Sequence, residues 1–125
     1  MSLSLSSKST SPSLPGVELN LPVNPQTDKE GYLNCLDEWS TEVASLLAER
    51  EDISLGDEHW QLIHLIRKFY ERFEVSPAMR VLVKQVRAEF GVEKGNSIYL
   101  LKLFPGSPAK LLAKIAGLPR PTNCL

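Results

Sequence analysis

A chain of 125 residues, 42% hydrophobic with a net charge of −1, is sized for one domain with a modest core. No apolar run approaches ~18 residues, which excludes a transmembrane helix. Two cysteines, Cys35 and Cys124, are too few for a disulfide framework and form no Cys-x-x-Cys pair. The charge is laid out unevenly. Residues 1–60 carry 3 Lys/Arg against 11 Asp/Glu, and residues 61–125 carry 11 against 4. An acidic half lying beside a basic half explains this most simply; a basic surface for an acidic protein or nucleic acid is the other reading.

The first sixteen residues, MSLSLSSKSTSPSLPG, hold seven serines and two prolines. They bury too little apolar surface to offset the cost of ordering and are expected to be disordered. They contain no apolar signal-peptide core, so a cytoplasmic location is expected. The serine-rich, acid-poor start faintly suggests a transit peptide, but Lys8 is its one cation. Val17, Leu19 and Leu21 then alternate with polar residues, and Tyr32-Leu33 follow a loop that runs from Asn24-Pro25 to Glu30-Gly31. This predicts a small N-terminal β-hairpin.

From Asn34 the apolar period becomes helical. Asn34 is the expected cap, and Leu36, Trp39, Val43, Leu46 and Leu47 form a stripe over 36–50. A second helix is predicted over Asp57–Phe73, capped by Gly56. Its apolar face is broad enough to mark it as the central helix of the core. Ser76-Pro77 opens a third, a capping residue followed by proline at the first helical position, and Gly91 ends it. NSIYLLKLF reads as a short fourth helix closed by Pro105. Ser107-Pro108 opens a fifth that stops at Gly117, with Leu111, Leu112 and Ile115 inward. The fold class is mainly α: a small orthogonal bundle of about five helices.

Most catalytic signatures are absent. His59 and His64 are five residues apart on one helix, the wrong spacing for a shared metal ion, and both read as partly exposed, His64 with a local bond. There is no phosphate-binding glycine loop and no nucleophile elbow. The segment Ser76–Phe104, with Arg80, Lys84, Arg87, Lys94 and Lys102, resembles a helix-turn-helix in length. It lacks a base-reading cluster of Asn, Gln and Ser, which argues against direct nucleic-acid binding.

The thiols remain. Cys35 reads as a partly buried, inert residue, although its place near a helix start admits activation. Cys124 lies seven residues past Gly117, a reach of roughly 20 Å when extended. Pro119 and Pro121 stiffen that stretch. Two readings stand: an arm that inserts its thiol into another protein's pocket for thiolate attack and group carriage, or a frayed end with an incidental cysteine. In the first, Arg120 favours the thiolate and the Leu125 carboxylate opposes it, so the receiving pocket sets reactivity.

The stretch KLFPGSPAKLLAKIAGLPRPTNCL, residues 102–125, resembles the C-terminus of the DsrC/TusE family, as do DKEGYL, EWSTEVASLLAERE, EHWQLIHLIRKFYERF and PAMRVLVK. The similarity spans residues 17–125. It implies a small cytoplasmic sulfur carrier with a helical domain over 17–117, an N-terminal β-hairpin and a flexible C-terminal arm over 118–125. Persulfide sulfur would be carried on Cys124, with no other cofactor and no metal. Members that work with dissimilatory sulfite reductase have a second cysteine eleven positions earlier; here that position is Ala113. The single-cysteine pattern is similar to the TusE branch. It implies an upstream donor complex similar to TusBCD and a downstream enzyme that 2-thiolates the wobble uridine of tRNA, with sulfurtransferase activity. Two alternatives stay open: a DsrC-like carrier or regulator in sulfur oxidation or sulfite metabolism, and a non-catalytic DNA-binding regulator of the same fold. Gly106-Ser107-Pro108 and Asn123 depart from the family pattern, which has Gly directly before Pro and Gly in place of Asn123. Arg120, Lys114, Arg80 and Lys102 are candidate docking cations.

Overall fold

The computed structural model describes residues 24–121. Five α-helices follow one another: α1 Thr41–Arg50, α2 Asp57–Phe73, α3 Met79–Phe90, α4 Ser97–Leu103 and α5 Pro108–Ile115. The expected serine-rich segment and the first hairpin strand with Val17, Leu19 and Leu21 lie outside the described residues. Among the described residues no strand forms. Thr27 and Leu33 make one isolated antiparallel bridge, with Asp28 N–H donating to Tyr32 O and Asn34 N–H to Gln26 O at 2.8 and 2.9 Å.

Capping chemistry sets the helix starts. α1 begins later than the apolar stripe suggests. Leu36–Glu38 is one 3-10 turn, Trp39 is extended, and Ser40 is the cap, its hydroxyl accepting from Val43 N–H at 3.2 Å. The hydroxyl satisfies one of the free amides at the helix start, which Asn34 does not reach. Gly56 does cap α2. It has no side chain to offer, but its N–H donates to His59 Nδ1 at 3.1 Å. α3 starts at Met79, not at Pro77, with Ala78 as cap. Ser76 lies two residues before that cap, and its hydroxyl donates to Pro119 O. Asn96 caps α4, accepting from Tyr99 N–H at 2.9 Å, and Pro108 occupies the first turn of α5.

The core centres on α5, which packs against α1, α2, α3 and α4. Leu112, Ala113, Ile115 and Ala116 are fully buried, with Phe104, Leu47, Ile63, Ile66, Leu82, Val86 and Leu100 around them. α2 is thus not the central helix that its broad apolar face suggests. Only Leu62, Ile63 and Ile66 are buried in it, and Phe73 at its end is half exposed. The shorter α5 takes the centre because small Ala109, Ala113 and Ala116 let neighbours approach from several sides. Gly95 brings the start of α4 against α3: a Cβ there would meet the Arg87 backbone at 2.4 Å.

α5 ends in a Schellman turn. Gly117 has φ +73°, its N–H donates to Lys114 O at 3.1 Å, and Leu118 N–H donates to Ala113 O at 2.9 Å. The next two carbonyls are taken by side chains distant in sequence. Trp39 Nε1 donates to Ile115 O at 3.0 Å, and the Arg67 guanidinium donates to Ala116 O while lying 3.8 Å over the Trp39 ring. Trp39 also leaves no room at the turn, because a Cβ on Gly117 would sit 2.3 Å from its Cδ1. Gly117→Ala is therefore expected to lower unfolding free energy by at least about 2 kcal/mol in urea titrations. In a Trp39→Ala background that cost should shrink to the left-handed strain alone.

Candidate functional site

Cys124 lies outside the described residues, with Thr122, Asn123 and Leu125. The structure describes the root from which they continue. Past Gly117 the chain does not leave the body at once. Leu118 and Pro121 are buried, and Pro119 and Arg120 are exposed between them. Side-chain contacts from distant elements help hold this stretch. Ser76 Oγ donates to Pro119 O. Arg120 Nη2 pairs with Glu30 Oε1 at 2.7 Å, and its guanidinium lies 5.7 Å from the Tyr32 ring centre. Within the expected arm over 118–125, residues 118–121 are thus held to the body. Cys124 stands three residues past Pro121, a chain length of roughly 10 Å when extended.

The platform under Arg120 is the turn Asp28–Tyr32. Asp28 Oδ1 accepts from Glu30 N–H at 2.9 Å and Tyr32 N–H at 3.0 Å, and Gly31 with φ +94° closes the turn. The Tyr32 amide, helped by those of Glu30 and Gly31 and by the Arg120 charge, holds the Asp28 carboxyl below its ordinary value. Lys114 braces the other side. It pairs with Glu51 at 3.0 Å and lies 5.4 Å from the Tyr32 ring centre. Burial lowers the Arg67 guanidinium from its usual value and Glu71 opposes the shift, but the group stays charged at neutral pH.

The other candidate residues are scattered. Cys35 is exposed at the start of the single 3-10 turn, not partly buried as its sequence suggests. The helix expected from Asn34 starts only after Ser40, which leaves Cys35 ahead of it and exposed. His59 carries the local bond expected of His64, with Nδ1 accepting from Gly56 N–H, and its Nε2 lies 3.1 Å from the distant Leu103 O. His64 is exposed beside Trp60. Among the described residues no three His, Cys, Asp or Glu side chains gather to hold a metal ion, and no helix is long and apolar enough to cross a membrane. Of the four candidate docking cations, Lys114 is largely covered and Arg120 is paired, whereas Arg80 and Lys102 are exposed. In the segment tested as a helix-turn-helix, Arg87 is tied down, donating to Gly95 O at 3.1 Å. Ala113, the position of the missing second thiol, is fully buried in α5.

A family model described as DsrC-like protein matches residues 22–125. The chain belongs to the DsrC-like family. It is 52% identical over 100 residues to the sulfurtransferase TusE of Escherichia coli strain K12, covering 80% of this chain and 92% of that protein. The TusE sulfurtransferase of Sodalis glossinidius is 52% identical over 99 residues, 79% of this chain and 92% of its own. The fold is similar to the solution structure of Allochromatium vinosum DsrC, with a TM-score of 0.72 at 47% identity over 78% of this chain and 88% of that one. It is also similar to the crystal structure of the oxidized gamma-subunit of dissimilatory sulfite reductase, DsrC, from Archaeoglobus fulgidus. There the TM-score is 0.71 at 39% identity, over 81% and 92% of the two chains. The DsrC-like match includes both the anchored root and the four residues beyond it.

The Asp28 platform has a pH signature. Because its folded value is depressed, the stability it contributes is fully present above the ordinary value of 3.8 and is lost as pH falls through the lowered one. Acid titration followed by NMR should show the Tyr32 and Glu30 amides shifting together below pH 3.8, and Asp28→Ala should abolish that step.

Proposed function

We propose that this protein is a sulfur relay protein: Cys124 accepts persulfide sulfur from one protein and passes it to another. The observation that carries the reading is the thiol's position, three residues beyond a root held by Ser76, Glu30 and the buried Pro121, in a DsrC-like chain. A thiol on so short a tether reaches a neighbouring active site and loses little freedom on entering it. The relatives named sulfurtransferase TusE support the assignment.

The chemistry is thiol exchange. The Cys124 thiolate attacks the outer sulfur of a donor persulfide, a new S–S bond forms, and the old one breaks to release the donor thiolate. Cys124 then holds the persulfide. An acceptor thiolate takes its outer sulfur in the same way, with no net oxidation in either step. Ala113 supports a single-thiol relay over a carrier that closes a bond within its own chain, since α5 offers no second sulfur. Cys35 belongs to no contact around the root and is given no role.

The donor complex is similar to TusBCD, and the sulfur proceeds to 2-thiolation of the tRNA wobble uridine in the cytoplasm. A carrier serving sulfite or sulfur-oxidising metabolism is the second reading, favoured by the likeness to the two DsrC structures. Incubation with a TusBCD complex charged by a cysteine desulfurase, followed by intact mass spectrometry, tests the relay. A one-sulfur adduct is expected on wild type and on Cys35→Ser and is expected to vanish in Cys124→Ser. Adduct formation in Cys124→Ser would overturn the assignment.

A further inference from the structure

We infer that the groove at the root of the arm, where the start of α5 meets α3 and α4, docks an acidic face of the protein that exchanges sulfur with Cys124. This rests on the relay reading and adds the surface and the chemistry of the partner. The groove has a volume of about 260 Å³ and is walled by Met79, Leu101, Pro108, Ala109, Lys110 and Pro121. Leu101 is 41% exposed, and Ile98, three residues earlier on the same face of α4, is 72% exposed.

The segment that forms most of its wall carries charge of one sign, and the carboxylates nearest it, Glu30, Glu51 and Asp52, line the adjoining cavities on the other side of Ser107. Between Lys94 and Leu125 there are five Lys/Arg and no Asp or Glu. Lys114 and Arg120 are neutralised by Glu51 and Glu30 from the acidic half. Lys102 and Lys110 make no ion pair among the described residues, and neither does Arg80, the exposed neighbour of Met79 on α3. The internal match between the two halves of the sequence thus stops at this face. A partner carrying carboxylates would complete it, with its approach steered by the same charges.

The tether identifies that partner. Pro121 is at once a wall of the groove and the last described residue before the thiol segment. A protein that closes around Cys124, at most roughly 10 Å of chain further on, comes within reach of this face. Exposed aliphatic side chains among peripheral cations are the anatomy of a protein interface. A phosphate backbone would use the cations and gain nothing from Ile98 and Leu101.

The test uses the full chain and two sulfur donors, the desulfurase-charged TusBCD complex and inorganic polysulfide, which loads Cys124 directly. Leu101→Asp and the double variant Lys102→Glu/Lys110→Glu alter exposed or groove-rim side chains, and circular dichroism verifies their folding. The half-saturating concentration of the complex should rise about tenfold or more in each variant, with polysulfide loading unchanged. Salt should raise it in wild type and less so in the double variant. Lys68→Glu, on a different cavity wall, should change neither reaction. Unchanged half-saturation would overturn the proposal. So would equal changes in polysulfide loading, which would mean that the groove holds the chain's own last residues. Loss of tRNA binding with protein transfer intact would assign the face to nucleic acid and overturn it too. Failure of both donors to load wild-type Cys124 would instead refute the relay reading.

Discussion

The carbonyl groups at the end of α5 must be satisfied inside the protein, and this requirement sets where the chain goes next. α5 is the buried hub, so water cannot serve these groups as it serves a surface helix end. The Schellman turn takes Ala113 O and Lys114 O, the Trp39 indole takes Ile115 O, and Arg67 takes Ala116 O. Each of the last two bonds also positions an element of the bundle. Trp39 ties the segment before α1 to α5, and Arg67 ties α2 to it. The left-handed Gly117 follows necessarily, since Trp39 occupies the space a side chain would need. The exit direction of the thiol-bearing segment is thus a consequence of core packing.

Beyond the turn the forces alternate between burial and weaker polar contacts. Leu118 and Pro121 are held by burial, Pro119 by one hydroxyl, and Arg120 by a half-exposed ion pair worth at most about 1 kcal/mol. A root pinned at both ends by burial suits a group that must be presented at a defined place yet fit into a second protein. The same ion pairs, Arg120–Glu30 and Lys114–Glu51, are where the acidic half of the sequence meets the basic half. Two cations are used internally, and those beside the groove are left facing outward.

Local signals made much of the fold legible. α2 and α5 follow Gly56, the Ser107-Pro108 pair and Gly117, and α4 follows Asn96, because capping and left-handed turns need particular residue types at particular positions. What was not legible depends on partners far along the chain. Ser76 reads as a cap, but the cap of α3 falls two residues later and the hydroxyl instead bonds Pro119, 43 residues on. Trp39 reads as part of a helical stripe until Ile115, 76 residues later, claims its indole. The hub role of α5 was hidden because broad hydrophobicity favours α2, whereas small residues decide which helix can be surrounded. The local bond expected of His64 falls instead on His59, which meets Gly56 N–H and Leu103 O. For the candidate site, position and motif pointed to Cys124, but the root that shortens its tether depends on Glu30, Tyr32 and Ser76, whose sequence signals pointed to turns and caps and not to this contact.

The central claim is that Cys124 works from a short tether fixed at Pro121. A nitroxide attached to Cys124 in a Cys35→Ser background tests it by paramagnetic broadening of backbone amides. The account predicts broadening concentrated on Met79, Leu101 and Ser107–Lys110 around the groove, with Glu71→Gln, a surface change on α2, leaving the pattern unaltered. Equal broadening of residues across the whole surface, or a maximum on α1 or α2 away from Pro121, would contradict it.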